Sequence, residues 1–275
     1  MKAYFYQLEA ISNLHVGSGE ANEGVVDLLI QRDSVTGLPV VNSSSLKGAF
    51  REFFSEQCPA EELCHIFGNA INEVPGARNK REHNAGKYRF FEARILGLPV
   101  RCDKLPYVMV TCPSIIHDFN NTLNLLDSNR KMEIPNWELD DSSAFVSNQN
   151  LQGLTMEELR LKAKSGLNGG DFITRLLGEN WAMVSDCNFK LLCDDRHLPI
   201  LARNQLLFGK SQNLWYEQVL PRFTRMYFSV MVPNENDQYF NKFDSMLTSG
   251  LVQVGANATV GYGYCKVANI SSSNK

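Results

Sequence analysis

An acidic residue inside an apolar run is the first place to look for chemistry. In "GVVDLLIQRD", residues 24–33, Asp27 follows two valines and precedes Leu28, Leu29 and Ile30. An ionised carboxylate enclosed by such side chains costs several kcal/mol unless it is paired, hydrated or bound to a cation. Either this run is not a buried strand, or Asp27 is retained for chemistry. Further along, "SSSLKGAFRE" (43–52) sets Lys47 and Arg51 one helical turn apart, behind three serines. A helix N-terminus with two cations on one side can grip a phosphate, and a solvated cationic stripe has the same spacing. His15, in "LHVGSG" (14–19), is either an acid/base group or base contact, or a structural histidine beside a glycine turn.

Two other stretches carry the same kind of signal. "LARNQLLFGKSQNLWYEQVLPRFTR" (201–225) interleaves Arg203, Asn204, Lys210, Arg222 and Arg225 with Trp215 and Tyr216. Surfaces that bind single-stranded nucleic acid mix cations and aromatics in this way, although core packing with snorkelling arginines does too. Near the C-terminus, "VQVGANATVGYGYCKV" (252–267) places Gly255, Asn257, Gly261 and Gly263 in one loop. Its spacing is not that of a dinucleotide fingerprint, and the chain has no P-loop, so a hairpin loop explains the glycines equally well.

These residues need elements to position them. Residues 3–11, "AYFYQLEAI", read as a strand entering a core, and the glycine-containing segment that follows as a turn. Leu46, Ala49, Phe50, Phe53 and Phe54 predict a helix over 45–56, capped by Ser43, Ser44 or Ser45. Pro113 opens a second helix through Leu126, and Ser185 caps a third after the strand at "WAMV". "TRMYFSVMV" reads as a strand, residues 238–249 as a helix, and the C-terminus as two short strands around the glycine loop. Residues 69–89, with Arg78, Lys80, Arg81, Lys87 and Arg89, and the Asn-, Asp- and Ser-rich residues 127–153 are expected to be surface insertions. The order suggests an α+β fold with a ferredoxin-like sheet enlarged by loops.

Composition narrows the classes. A net charge of −3 lacks the basic excess of a nucleic-acid binder, so any anionic partner must be held by local patches. Seven cysteines, none in a CxxC pair, point to buried free thiols in a reducing compartment rather than a metal site, although His65 beside Cys64 invites the latter. No window reaches the roughly 18 apolar residues of a membrane span, and "MKAYFYQLEAIS" lacks the apolar core of a signal peptide, so no membrane partner and a cytoplasmic location are expected.

Taken in order, "LHVGSG", "GVVDLLIQRD", "TGLPVVNSSSLKGAFRE", "LARN", "LWYEQVLPR" and "VQVGANATVGYGYCKV" resemble the backbone subunits of type III-B (Cmr) CRISPR effector complexes, within the RAMP superfamily. The resemblance spans residues 1–267 at intervals. It implies a single domain over 1–275, with an RNA-recognition-like palm, finger insertions and a thumb at 198–216. It also implies a guide CRISPR RNA, a target RNA, further copies of the same chain and other Cmr subunits as partners, with target cleavage at regular intervals. By that resemblance Asp27 is the cleavage residue, on a loop facing the duplex. His15, Ser45, Lys47, Arg51, Arg203, Asn204, Tyr216, Gly255, Asn257, Gly261 and Gly263 are then the expected RNA contacts. An aspartate is a weak general base at neutral pH, so Asp27 is expected to help hold a divalent metal, Mg or Mn. Two other readings stay open: a metal-free guide-processing nuclease using His15, and a structural filament subunit that cleaves nothing.

Overall fold

A computed structural model describes residues 1–19, 24–69, 85–126 and 134–271. The expected cations Arg78, Lys80 and Arg81 lie outside the described residues. The chain runs through β1 (Lys2–Ala10), β2 (Val40–Val41), α1 (Ser43–Ser55), α2 (Ala60–Phe67), β3 (Arg89–Phe90) and β4 (Ala93–Val100). It continues through β5 (Val108–Thr111), α3 (Pro113–Leu126), β6 (Ser143–Val146), the hairpin β7 (Thr155–Met156) and β8 (Leu159–Arg160), then β9 (Lys162–Lys164), α4 (Gly170–Leu177), β10 (Trp181–Met183) and α5 (Asp186–Leu192). The last elements are β11 (Ile200–Leu207), β12 (Lys210–Gln218), β13 (Arg225–Val232), α6 (Phe240–Ser249), β14 (Leu251–Gln253) and β15 (Tyr264–Asn269).

Within this list, β1, α1, β4, β13, α6 and β15 form a βαββαβ unit whose strands lie in the order β15-β1-β13-β4, each neighbouring pair antiparallel. A crossover through α1 returns β4 parallel to β1 two places away, and β13 fills the slot between them. This is the expected ferredoxin-like palm. The sheet extends past β4 through β5, β10, β6 and β9, all supplied by residues between β4 and β13.

Successive side chains of a strand face opposite sides, and both sides of this palm are covered. On one side Tyr6 and Phe228 stack at 5.2 Å, Phe50 of α1 lies 5.3 Å from Phe228, and Phe54 stacks on Phe243 of α6. On the other, Phe5 and Tyr227 meet Phe119 of α3 edge-on. Buried Leu46, Phe50 and Phe54 recur every four residues, which fixes the α1 face that meets this layer.

Three expectations need correction. The α1 cap is Asn42, with no side-chain capping bond, because Gln31 takes the positions a serine cap would use: Gln31 Oε1 accepts from Asn42 N (2.8 Å) and Gln31 Nε2 donates to Ser45 Oγ (3.0 Å). Residues 134–153 are not a surface insertion. Trp137, Ala144, Val146 and Leu151 are buried, and β6 joins the main sheet, with the Asp140–Ser142 turn supplying the polar composition. At the end of the other supposed insertion, Tyr88 is buried with its hydroxyl on Asp237 (2.7 Å). Cys112, Cys193 and Cys265 are buried thiols, whereas Cys187 is exposed. No helix among the described residues is long and apolar enough to cross a membrane.

Candidate functional site

Asp27 sits on an exposed loop, not in a buried strand, and its neighbour Val25 is 89% exposed. The loop is pinned to the root of the β11–β12 hairpin. Tyr216 N donates to Asp27 Oδ2 at 2.7 Å, while Asp27 N and Leu28 N both donate to the Tyr216 carbonyl at 3.1 Å. Gln218 N then donates to the Leu28 carbonyl at 2.9 Å, so the loop continues the edge of β12. The carboxylate is thereby held with one oxygen engaged, while Oδ1 has no hydrogen-bond partner among the described residues.

The neighbouring residue organises the other side of this root. Glu217 is only 3% exposed and receives Trp215 Nε1 (2.7 Å) and Asn257 Nδ2 (2.9 Å), with Arg203 NH1 at 3.6 Å. The Arg203 guanidinium also lies 5.4 Å from the centroid of Tyr262. One buried carboxylate therefore joins both hairpin strands to the C-terminal glycine loop, and bonds of this charge-assisted kind are the strong ones. The loop itself turns through Asn257, at φ +66°, and is strapped to residues 13–15 by Ala256 N on the His15 carbonyl and Gly263 N on the Asn13 carbonyl. Gly255 and Gly263 have positive φ, and a Cβ on either would strike the carbonyl of His15 or of Val254, so no other residue fits there.

His15 is enclosed, at 3% exposure, and Nδ1 donates to the Gln218 carbonyl at 2.6 Å. The ring braces the hairpin root from inside; it does not present itself to solvent. Gln31 binds the Gly17 carbonyl and Ser45 Oγ with one amide, so residues 14–18, the Asp27 loop and the start of α1 form one continuous surface.

Lys47, Arg51 and Arg89 make a cationic cluster beside this surface. Burial, then the adjacent Arg51 and Arg89 guanidiniums, push the Lys47 ammonium below the usual lysine range. Arg51 and Arg89 each donate to a backbone carbonyl, of Gly68 and Gly86, which fixes their orientation. Lys47 and Arg89 line a 480 Å³ cleft with Phe67, Tyr88 and Phe90. Such an arrangement stabilises an anion.

The hairpin projects as a two-stranded ribbon with most side chains exposed on both faces. Its turn residues Phe208 and Gly209 both have positive φ, the geometry of a two-residue I′ turn. Leu206, Leu207 and Phe208 are exposed at the tip, Phe208 at 96%. Asn204, expected as an RNA contact, faces outward and accepts from Ser211 Oγ.

Among the described residues no three His, Cys, Asp or Glu side chains converge as a metal centre. Asp27 offers a single carboxylate oxygen, which fits a cation shared with a ligand's phosphates and not one that the protein holds alone. The spacing arguments brought together His15, Asp27, Ser45, Tyr216 and the glycine loop, with Arg203 joined through Glu217. They missed Gln31, Glu217 and Gln218, and placed Arg89 only among the cations of a surface insertion. A glutamate between "LWY" and "QVL" carries the same acid-among-apolar-residues signal that singled out Asp27, and that signal could have marked Glu217.

This chain is 30% identical to the "CRISPR system Cmr endoribonuclease Cmr4" of Pyrococcus furiosus, over 97% of its own length and 95% of the relative's. Its fold matches the crystal structure of oligomeric Cmr4 from Pyrococcus furiosus with a TM-score of 0.70 at 25% identity, covering 98% of both chains. A chain in the cryo-EM structure of the type III-B Cmr-beta complex bound to cognate target RNA superimposes with a TM-score of 0.78 at 20% identity, over 98% of this chain and 97% of that one, a likeness of fold. The RAMP superfamily model matches residues 7–266, and with it the palm, the pinned hairpin and the glycine loop find a common origin: the chain belongs to the RAMP superfamily.

Proposed function

We propose that this chain is a backbone subunit of a Cmr-type CRISPR effector complex, holding the guide RNA and cleaving the target RNA paired with it. The observation that carries the reading is Asp27: an exposed carboxylate, fixed by backbone hydrogen bonds to the root of a projecting hairpin, beside a cationic surface. Lys47, Arg51, Arg89 and the glycine loop form a groove that contacts phosphates without reading bases, as a subunit serving any guide requires. The hairpin is the thumb, and its exposed Leu206, Leu207 and Phe208 are wedges between segments of the guide–target duplex.

RNA carries its own nucleophile, the 2′-OH, so the protein's task is to align it with the adjacent phosphate and to stabilise developing charge. With Oδ2 on Tyr216 N, Asp27 cannot swing away, and Oδ1 is left to orient the 2′-OH or its proton. A divalent ion, when bound, would be held by Asp27 Oδ1 together with RNA phosphates, and would supply charge neutralisation at the attacked phosphate. The metal-free processing reading needs His15 at the surface, and its burial argues against that.

The test is Asp27→Asn in the assembled complex, under single-turnover conditions. The amide keeps size and still accepts from Tyr216 N, so target affinity stays at the wild-type level while cleavage falls about 10²- to 10⁴-fold. Cleavage at the wild-type rate assigns the chain to the structural reading. Loss of affinity in step with cleavage makes Asp27 a structural residue.

A further inference from the structure

A second aromatic group lies outside the arrangement described so far. Tyr107 and Phe223 stack with centroids 5.0 Å apart and planes 13° apart, and the Arg222 guanidinium lies 4.9 Å from the Phe223 centroid. Both rings line a 260 Å³ cavity together with Glu9, Met109, Asn180 and Arg225.

Three features distinguish this cavity from loose packing. Phe223 holds φ at +76°, a left-handed region that strains a bulky residue and that glycine would occupy freely. The ring is kept there all the same. Arg225 donates through NH1 to the Leu176 carbonyl (3.0 Å) and lies 3.4 Å from Glu9 through NH2, yet its Nε is buried with no partner among the described residues. Buried donors without acceptors are rare in folded proteins. Tyr107 is 37% exposed, so one face of the stack is open to a visitor.

Strand register puts the cavity at the same end of the palm as the glycine loop. Glu9 pairs with Arg225 on one side and Lys266 on the other, Arg225 pairs with Gly97, and Ile11 N donates to the Tyr264 carbonyl where the glycine loop ends. Along the order β15-β1-β13-β4-β5 the cavity runs from Glu9 on β1 to Met109 on β5, about 5 to 19 Å from β15 at the usual strand spacing. The segment from Tyr216 to Phe223 bounds the distance to the Asp27 clamp at about 25 Å.

The lining selects the ligand. Aromatic walls favour a planar ring, and Glu9 and Glu179 repel a phosphate. The Glu9 carboxylate accepts and the Arg225 guanidinium donates, which matches the edge of a nucleobase carrying both an exocyclic amine and a ring acceptor. A volume just under the roughly 300–1,000 Å³ of drug-sized sites leaves room for one base. We propose that the Tyr107–Phe223 cavity receives a single unstacked RNA base. This rests on the RNA-binding reading above and adds to it a base-sized subsite at the glycine-loop end of the palm.

The experiment uses the assembled complex, with a single 6-thioguanosine, a photoreactive base that keeps an exocyclic amine beside a ring acceptor, at successive positions of either the guide or the target. Irradiation should link one strand to residues 101–107 or 222–225 at regularly spaced positions, and the strand that links identifies the source of the base. Tyr107→Phe should preserve the crosslink. Tyr107→Leu should abolish it and lower RNA affinity at least about 5-fold, since stacking on an aromatic is lost. If the wild-type complex binds and cleaves RNA but neither strand links to these segments, or if Tyr107→Leu retains both crosslink and affinity, the subsite is refuted while the functional reading stands. A wild-type complex that neither binds nor cleaves RNA overturns both.

Discussion

Replacing Glu217 with glutamine tests whether one buried carboxylate holds the β11–β12 hairpin to the palm. The glutamate accepts from Trp215 Nε1 at 2.7 Å and from Asn257 Nδ2 at 2.9 Å, with Arg203 at 3.6 Å. A glutamine has the same shape but only one acceptor, so its amide group must face one of the two N–H donors. The lost charge-assisted bond is worth about 1.5–3 kcal/mol. Arg203, with 22% of its side chain exposed, loses a counter-ion worth about 0–1 kcal/mol. The sum, about 2–4 kcal/mol, corresponds to a fall of about 4–8 °C in Tm at the ~2 °C per kcal/mol of a large domain. Because the bonds span hairpin and glycine loop, hydrogen exchange should quicken at Tyr216 and Asn257 together, and target products from the assembled complex should lose their regular spacing. The double variant Glu217→Gln with Asn257→Asp restores a donor–acceptor pair with the roles reversed, and should recover much of the loss; aspartate tolerates the left-handed backbone at this position. A single variant melting within about 1 °C of wild type, against an expectation of several degrees, refutes the reasoning.

Lys47→Ala should weaken guide binding to the same extent for every guide sequence and reduce the salt slope by about one charge, read from affinities at several salt concentrations. A sequence-selective loss would contradict its assignment to phosphate. Phe208→Asn keeps a residue that accepts positive φ and removes the exposed ring. The thermal melt should stay level or rise, while a fluorescent base analogue in the target near the thumb should lose its unstacking signal. Asp237 is pushed up by burial, but the Tyr88 hydroxyl, His65 Nε2 and Tyr239 N–H outweigh that and hold it below the usual carboxylate range. Its stabilisation is therefore fully present above that range and is lost as the pH falls through the lowered native value. The stability gap between wild type and Asp237→Asn should be constant near neutrality and shrink in urea melts as the pH falls below about 5.

The elements that the sequence predicts well are those whose pattern is local. Phe50 and Phe54, Ile115 to Leu126, Ser185 before α5, and Phe240 to Leu247 each place their own helix, because every contact that orders them recurs within a few residues. Residues 134–153 misled because a turn held by Asp140 and Ser142 dominates their composition, while Trp137, Ala144 and Val146 are spread too thinly to show periodicity. The thumb carries no alternation since both of its faces meet solvent, so only its cations and aromatics marked it. Asp27 was legible as an anomaly, but its partner is the backbone N–H of Tyr216, and a main-chain donor leaves no trace in residue type. Gln31 joins segments apart in sequence and did not show, and Glu217 carried an acid-among-apolar-residues signal with nothing to name its partner Asn257.

The palm strands β4 and β13 are hydrogen-bonded neighbours, with Gly97 opposite Arg225, although residues 101–224 intervene. That excursion leaves the palm and re-enters it at adjoining points. The entropy lost in closing a loop grows only with the logarithm of its length, so doubling the excursion costs about 0.6 kcal/mol. Its size is therefore almost thermodynamically neutral for the βαββαβ unit. The stretch between these strands, hairpin included, can then lengthen or shorten at little cost while the palm and its glycine loop keep their register.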